Sequence, residues 1–411
     1  MVNYPGFDFE VIHRTTADSN WPNAARVSKL KTPHGIVETP AFIFCATRGV
    51  IRGVTPAQML KEKTQIILGN TYHLMLQPGA ETIDRLGGLH KMMGWDGPMF
   101  TDSGGFQIFS FGGGTASSEI KGNRNNKRPK MLLNIEESGA TFRSYIDGNI
   151  HKFTPEDSIR VQRNIGADII LVLDECSPYE VGKDYTANSM QLTHRWAKRS
   201  IKEFFKSAEG SSGPQALYGI VQGGVYEDLR LESAEFTVSQ PYFGYAVGGC
   251  LGSDSFELQD VISMSMRTLN KNKLVPHPIH LLGIGGIADI WDGVAKGIDT
   301  FDCVNPTRLA RHGAAYLRPI FAKNNQSRDH VNLKNSCFKD DDGPLDPECK
   351  CYTCLTFSRS YLHHLIKAGE ITVIQYLAIH NVAFMNRLME KIRSAISEDN
   401  YFVARKEWFA T

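Results

Sequence analysis

Thr101-Asp102-Ser103-Gly104-Gly105-Phe106-Gln107 sets a carboxylate, a hydroxyl, two glycines and an aromatic ring directly after a short apolar run, Pro98 to Phe100. The set suits a flat, polar ligand. Glycines admit close approach to the backbone, the carboxyl bonds to the ligand or moves protons, and Phe106 offers a stacking face. Taken alone, the same pattern also describes an ordinary strand-ending turn. A second concentration of chemistry is Cys349-Lys350-Cys351-Tyr352-Thr353-Cys354, three thiols within six residues. This spacing points to a metal and calls for a fourth ligand: His380 is the first choice, with His363 and His364 as nearer competitors. Three thiolates and an imidazole form a closed, soft tetrahedral set suited to structural zinc. No coordination position is left for metal-assisted hydrolysis.

The elements that must position these residues are eight short apolar runs: Ala41 to Phe44, Gln65 to Leu68, Pro98 to Phe100, Asp168 to Leu173, Leu217 to Val221, Gly244 to Val247, Ile279 to Ile284 and Thr300 to Phe301. Such runs fit strands buried on both faces of a parallel sheet. Between them lie helix signals. Thr55-Pro56 and Thr154-Pro155-Glu156 pair a capping threonine with proline at the first helical position, and Lys296-Gly297 reads as a helix end. The alternation predicts an α/β fold, a (β/α)8 TIM barrel, with a doubly wound open sheet as the competing arrangement. The residues just past the strands favour the barrel. Asp102, Asp174, Gln222, Gly248-Gly249, Gly285-Gly286 and Asp302 all fall at strand C-terminal ends, which in a barrel share one mouth.

Two regions interrupt the repeat. Thr141 to Ile146 alternates and runs into Asp147-Gly148, an inserted hairpin. Upstream, Lys121 to Lys130 carries five basic residues, read as a solvated loop or as a phosphate contact. The 411 residues, 42% hydrophobic, can bury a large core. With 45 Lys and Arg against 44 Asp and Glu, any nucleic-acid binding must come from a local patch. The N-terminus lacks a targeting pattern and no apolar run reaches membrane-spanning length, so a cytoplasmic protein without a membrane partner is expected.

Gly69-Asn70-Thr71-Tyr72-His73-Leu74, the Thr101 to Gln107 heptad, Asp174-Glu175-Cys176, Val221-Gln222-Gly223-Gly224, Tyr245 to Gly249, Phe301 to Arg308 and the cysteine cluster together closely resemble the tRNA-guanine transglycosylases, from about Phe9 to Lys391. The resemblance implies a (β/α)8 barrel core over 1–311 with an insertion near 111–150, a zinc-binding subdomain with closing helices over 312–395, and a tail over 396–411. It implies exchange of guanine at the anticodon wobble position, 34, for a 7-deazaguanine base, preQ1 or queuine. The partners implied are tRNA with a GUN anticodon, the free base and a second copy of the chain. Structural Zn2+ on Cys349, Cys351, Cys354 and His380 is implied, with no organic cofactor.

Carried over residue by residue, the resemblance makes Asp302 the nucleophile and Asp102 the general acid/base. Retention at C1′ requires two displacements, hence a covalent intermediate. Asp174 would accept from the guanine-like N1–H and 2-amino edge, while Gln222 and the Gly249 N–H would donate to the 6-oxo group, a pattern that rejects adenine. Phe106 and Leu282 would enclose the base, with Ser103, Gly104 and Gly105 beside it. Two segments would touch RNA: Gly283, Ile284, Gly285, Gly286, Ile287, Ala288 and Asp289, and Thr307, Arg308, Leu309, Ala310 and Arg311. Gly286 stands where a lysine is common in bacterial members.

Phe106 and Gly252 resemble eukaryotic members, where Tyr and Val are usual in bacterial ones, and suggest a pocket widened near Gly252 for queuine; Cys176 looks bacterial. Two other readings remain. A non-catalytic tRNA-binding subunit of a heterodimeric transglycosylase should lack part of the set Asp102, Asp174, Gln222 and Asp302, yet all four are present. A metal-dependent hydrolase would need histidine ligands at the strand ends, and these are missing.

Overall fold

The computed structural model describes residues 3–15, 24–110, 131–206, 213–271, 276–321 and 329–410. Eight parallel strands close a barrel in the order β4 (Ala41–Ala46), β5 (Ile67–Gly69), β6 (Met99–Thr101), β10 (Ile169–Leu171), β11 (Ala216–Val221), β12 (Gly244–Val247), β13 (Ile279–Leu281) and β14 (Thr300–Cys303). These are the eight apolar runs of the sequence. Closure excludes the open sheet: β14 pairs with β4 from Thr300↔Ala41 to Cys303↔Phe44, so no strand edge remains. The strands are nearly continuous apolar runs because helices cover them outside and the barrel's own side chains fill them inside.

The helix signals act as expected. Thr55 caps Pro56–Lys61 and Thr154 caps Pro155–Ile165, each in a reciprocal capping box with Gln58 or Asp157 and with proline in the first turn. Lys296 ends the helix Ile287–Ala295, and Gly297 follows at φ +98°, a left-handed conformation that glycine adopts without strain.

Two small antiparallel sheets are added. At the N-terminus, β1 (Asp8–Arg14), β2 (Arg26–Thr32) and β3 (Gly35–Thr39) pair in that order and send two side chains under the barrel. Arg26 binds buried Asp299 through Nε at 2.8 Å and Nη2 at 2.5 Å, and His34 Nδ1 lies 2.7 Å from buried Asp168. Each of these carboxylates also accepts a strand-starting N–H, from Ile279 and Met99, both at 2.8 Å. The expected hairpin is present as β8 (Gly139–Arg143) and β9 (Ile150–Phe153). It gains a third strand, β7 (Leu132–Glu136), whose residues do not alternate cleanly enough to announce it. The basic stretch Lys121 to Lys130 lies outside the described residues.

After β14, the helix Asn305–Arg311 leads to the two-stranded sheet of β15 (Ala314–Tyr316) and β16 (His330–Asn332), then to the cysteine-bearing helices. The 26-residue helix Thr372–Ser397 ties this unit to the barrel. Its buried Asn381 donates to the Pro306 carbonyl at 2.8 Å and accepts from the Tyr316 N–H at 2.9 Å. The segment expected as a tail contains a further helix, Tyr401–Trp408, and packs Tyr401 and Trp408 against buried Trp291 of the barrel wall. Among the described residues, no helix is long and apolar enough to cross a membrane.

Candidate active site

The strand ends bring Asp102, Asp174, Gln222 and Asp302 to one mouth. Asp102 leaves β6 half-buried. Its carboxylate accepts from the Asn70 side-chain amide and from the Thr71 N–H at 2.8 Å, both at the start of the helix Thr71–Leu76. Burial, opposed by the Thr71 N–H and reinforced by the negative Asp302, pushes the Asp102 carboxyl up to about 7. It is therefore poised to hold or release a proton near neutrality.

Asp302, the penultimate residue of β14, is almost wholly buried. Its Oδ1 accepts from the Gly283 N–H at 2.8 Å and faces His280 Nε2 at 3.2 Å, while the Cys45 thiol reaches Oδ2 at 3.6 Å. Asp174, after β10, accepts from Ser103 Oγ at 2.8 Å and from Gln222 Nε2 at 2.6 Å. Burial raises its carboxyl to about 6 despite these donors, so at neutral pH it remains chiefly an anionic acceptor. Phe106, on the helix Gly105–Ser110, and Leu282, just past β13, are half-buried and line this end of the barrel.

Two glycines are required by close approach. A β-carbon on Gly105 would meet the Asp174 carbonyl oxygen at 2.5 Å, and one on Gly249, at φ +80°, would collide with the Gln222 side chain. Gly252 corrects the expectation of a widened pocket. It sits at φ +99°, and a β-carbon there would meet the Glu257 β-carbon at 2.5 Å, so the missing side chain opens no room. Glu257 fills that space while accepting from the Ser253 N–H and hydroxyl, each at 2.8 Å.

The two segments expected to touch RNA flank Asp302. Gly283 to Gly286 form the loop after β13, and Ile287, Ala288 and Asp289 open the next helix; Thr307 to Arg311 lie on the helix after β14. Thr307 and Ala310 are buried, whereas Arg308, Leu309 and Arg311 are half-buried at the surface. Arg311 donates to Thr307 Oγ1 at 3.3 Å. Its guanidinium is lowered by burial and by the nearby charges of Arg52 and Arg308, which marks a concentrated positive rim. A side chain at Gly286 would run into the Asp289 carboxylate.

The cysteine cluster also closes. One donor atom from each of Cys349, Cys351, Cys354 and His380 lies within 4.8 Å of the others, all buried, and the group could hold a metal ion. His380 Nδ1 faces the thiols, 3.2 Å from Cys354, because Nε2 donates to the Tyr316 carbonyl at 2.8 Å and so fixes the tautomer. Hydrogen bonds from Cys351 and Cys354 draw the Cys349 thiol down toward the thiolate. The competitors are elsewhere: His363 Nδ1 is 2.7 Å from the Leu333 carbonyl, and His364 is exposed.

The family model described as queuine tRNA-ribosyltransferase matches residues 22–411. Among curated proteins, the queuine tRNA-ribosyltransferase of Roseiflexus sp. (strain RS-1) is 46% identical over 396 residues, covering 93% of this chain and 96% of the relative. That of Thermoanaerobacter sp. (strain X514) is 41% identical over 386 residues, covering 94% and 93%. That of Synechococcus elongatus is 43% identical over 384 residues, covering 93% and 91%. The chain belongs to the queuine tRNA-ribosyltransferase family. As a member it is an enzyme, a pentosyltransferase that modifies tRNA.

Several residues of this family member's site escaped the sequence reading. Arg48 and Arg52 follow β4 at the same strand-end register as the other motifs of the mouth, and that position was their only available signal. Arg48 donates to Tyr145 of the inserted hairpin at 2.9 Å, and Tyr145 lies 2.9 Å from His73 Nδ1, which ties the insertion to the mouth. Arg230 is fully buried and donates to the carbonyls of Gly224, Val221, Gly248 and Cys250, bracing the two glycine turns beside Gln222 and Gly249. His280 lies beneath Asp302. Nothing in the sequence distinguishes Arg230 from an ordinary surface arginine or His280 from an ordinary core histidine.

Proposed function

We propose that the protein exchanges guanine at the wobble position of GUN-anticodon tRNAs for a 7-deazaguanine base, by double displacement through a covalent enzyme–RNA intermediate. The observation that carries this reading is the pair of unlike carboxyls at one mouth. Asp102 is held near neutral pH for proton transfer, and Asp302 is buried on a rigid strand end as the nucleophile. Asp302 displaces guanine from C1′ while Asp102 protonates the leaving base. The incoming base then displaces Asp302 and returns its proton to Asp102. Asp174, with Gln222 and the Gly249 N–H, reads the base edge, and Phe106 and Leu282 hold its faces. An unpaired anticodon base is turned out at little cost, and Arg308 and Arg311 meet its phosphates.

Zinc on Cys349, Cys351, Cys354 and His380 holds the unit behind Asn381 and the Asn305–Arg311 helix, and has a structural role. The protein works in the cytoplasm as a homodimer. Exposed Leu355, Tyr352 and Tyr361 beside the cysteine cluster supply an apolar face for that contact. With Gly252 blocked by Glu257, Phe106 alone of the two pocket residues still favours queuine over preQ1, and kcat/KM for the two bases decides between them. The reading is tested by radiolabelled guanine exchange and adduct trapping. Wild type should yield a denaturation-resistant RNA adduct and Asp302→Ala none; an adduct of normal yield from the variant overturns the assignment.

A further inference from the structure

Deep in the barrel, His280 on β13 is fully buried and pairs in register with Thr300 on β14. Its ring packs against Phe100, with centroids 4.8 Å apart. Nε2 lies 3.2 Å from Asp302 Oδ1, and Nδ1 lies 2.9 Å from Thr300 Oγ1. A carboxylate oxygen facing Nε2 requires a proton on that nitrogen, so in the neutral ring Nδ1 accepts from the Thr300 hydroxyl. Oδ1 thus receives two N–H donors, His280 and Gly283, whereas among the described residues Oδ2 has only the long contact from the Cys45 thiol.

We propose that His280 is a positioning residue that makes the two oxygens of Asp302 unequal, holding Oδ1 so that Oδ2 is the atom that bonds to C1′. This rests on the double displacement above. In the first step an Oδ2 lone pair forms the bond to C1′ as the bond from C1′ to guanine breaks; that electron pair leaves with the base, which takes the proton of Asp102. In the second step the incoming base bonds to C1′ and yields its proton to Asp102. The C1′–Oδ2 bond breaks as that new bond forms, and its electrons return to the carboxylate. The returning charge is shared with Oδ1, where the His280 and Gly283 N–H groups are already aimed, so their hydrogen bonds strengthen as Asp302 departs.

The test compares His280→Phe, which keeps a ring and removes the donor, with His280→Gln, which keeps an N–H near the place of Nε2. Thr300→Val, which removes the hydroxyl that orients the imidazole, is measured beside them. Adduct formation in a single turnover, kcat, and KM for base and tRNA are read, with circular dichroism as the folding check. His280→Phe should lose about 100-fold in kcat with base KM little changed, as for loss of one preorganised donor. His280→Gln should recover most of that loss, and Thr300→Val should fall between. A folded His280→Phe at wild-type rate, a His280→Gln as slow as His280→Phe, or a loss confined to KM overturns the proposal. If His280→Phe does not fold, a Thr300→Val variant at wild-type rate does so. A wild type that forms no adduct sinks the double displacement as well; a normal adduct in wild type and His280→Phe alike sinks only the role of His280.

Discussion

Replacing Asp102 with asparagine should inactivate the enzyme and yet stabilise it at alkaline pH. Burial moves this carboxyl from 3.8 to about 7, a difference worth about 4 kcal/mol between its two protonation states, and about half that once the solvent reaching the mouth is allowed for. A folded-state value above the unfolded one gives a contribution that is complete below about pH 4 and lost as pH rises through about 7. Above that pH the wild type bears a desolvated charge in the folded state alone. Asparagine carries no charge and escapes the loss, but its amide meets a second amide. Asn70 donates to Asp102 through Nδ2 while its Oδ1 caps the His73 N–H at 3.0 Å, so turning Asn70 to suit the variant sacrifices a helix cap worth about 1 kcal/mol. The net expectation is a gain of about 1 kcal/mol at pH 8 and a loss of about 1 kcal/mol at pH 4.5. Guanine exchange should fall by a factor of about 100 to 10,000 through loss of proton transfer. Urea titration of both proteins at the two pH values, alongside the exchange assay, measures this. A variant less stable than wild type at pH 8, or a stability difference that does not change with pH, refutes the reasoning.

Cys351→Ser should release most of the bound metal, read by atomic absorption, and lower unfolding stability by at least about 2 kcal/mol, because the remaining ligands no longer close a tetrahedron. His34→Ala should cost about 1 kcal/mol near pH 6. His34 is raised by its hydrogen bond to Asp168, so that contribution exists below its ordinary 6.5 and is lost as pH rises through the raised value. Asp168 is lowered by His34 and His90 against the opposing effect of burial, and its share is lost only in strong acid. Thermal melts at pH 6 and 9 should show the penalty shrinking. Arg308→Ala should weaken tRNA binding and flatten the plot of log K against log salt by about 0.7, the value of one single-strand phosphate contact, in filter binding at several salt concentrations. Gly252→Val should lower the melting temperature without changing the ratio of kcat/KM for the two bases, since its side chain collides with Glu257 instead of narrowing the pocket.

Local chemistry was legible in the sequence wherever it is carried by neighbours along the chain. Thr154-Pro155 with Asp157 caps its helix, Cys349, Cys351 and Cys354 announce a metal set, and Asp102, Asp174, Gln222 and Asp302 each follow an apolar run that had to be a buried strand. Their meeting at one mouth followed from the alternation of strands and helices, because a parallel barrel puts every strand's C-terminal end on the same side. Tertiary structure alone decided what depends on side chains far apart in sequence. Arg230 reaches four carbonyls across two turns, His280 lies under Asp302 because β13 and β14 are in register, and His380 rather than His363 meets the thiols because a carbonyl of β15 holds its far nitrogen. Gly252 shows the limit most plainly. As a residue type it reads as an absent wall, but its left-handed backbone and the β-carbon of Glu257 show that the space was already occupied. Sequence specifies which groups are available and the period of the elements that carry them; packing and burial then set how those groups face one another and at what pH they exchange protons.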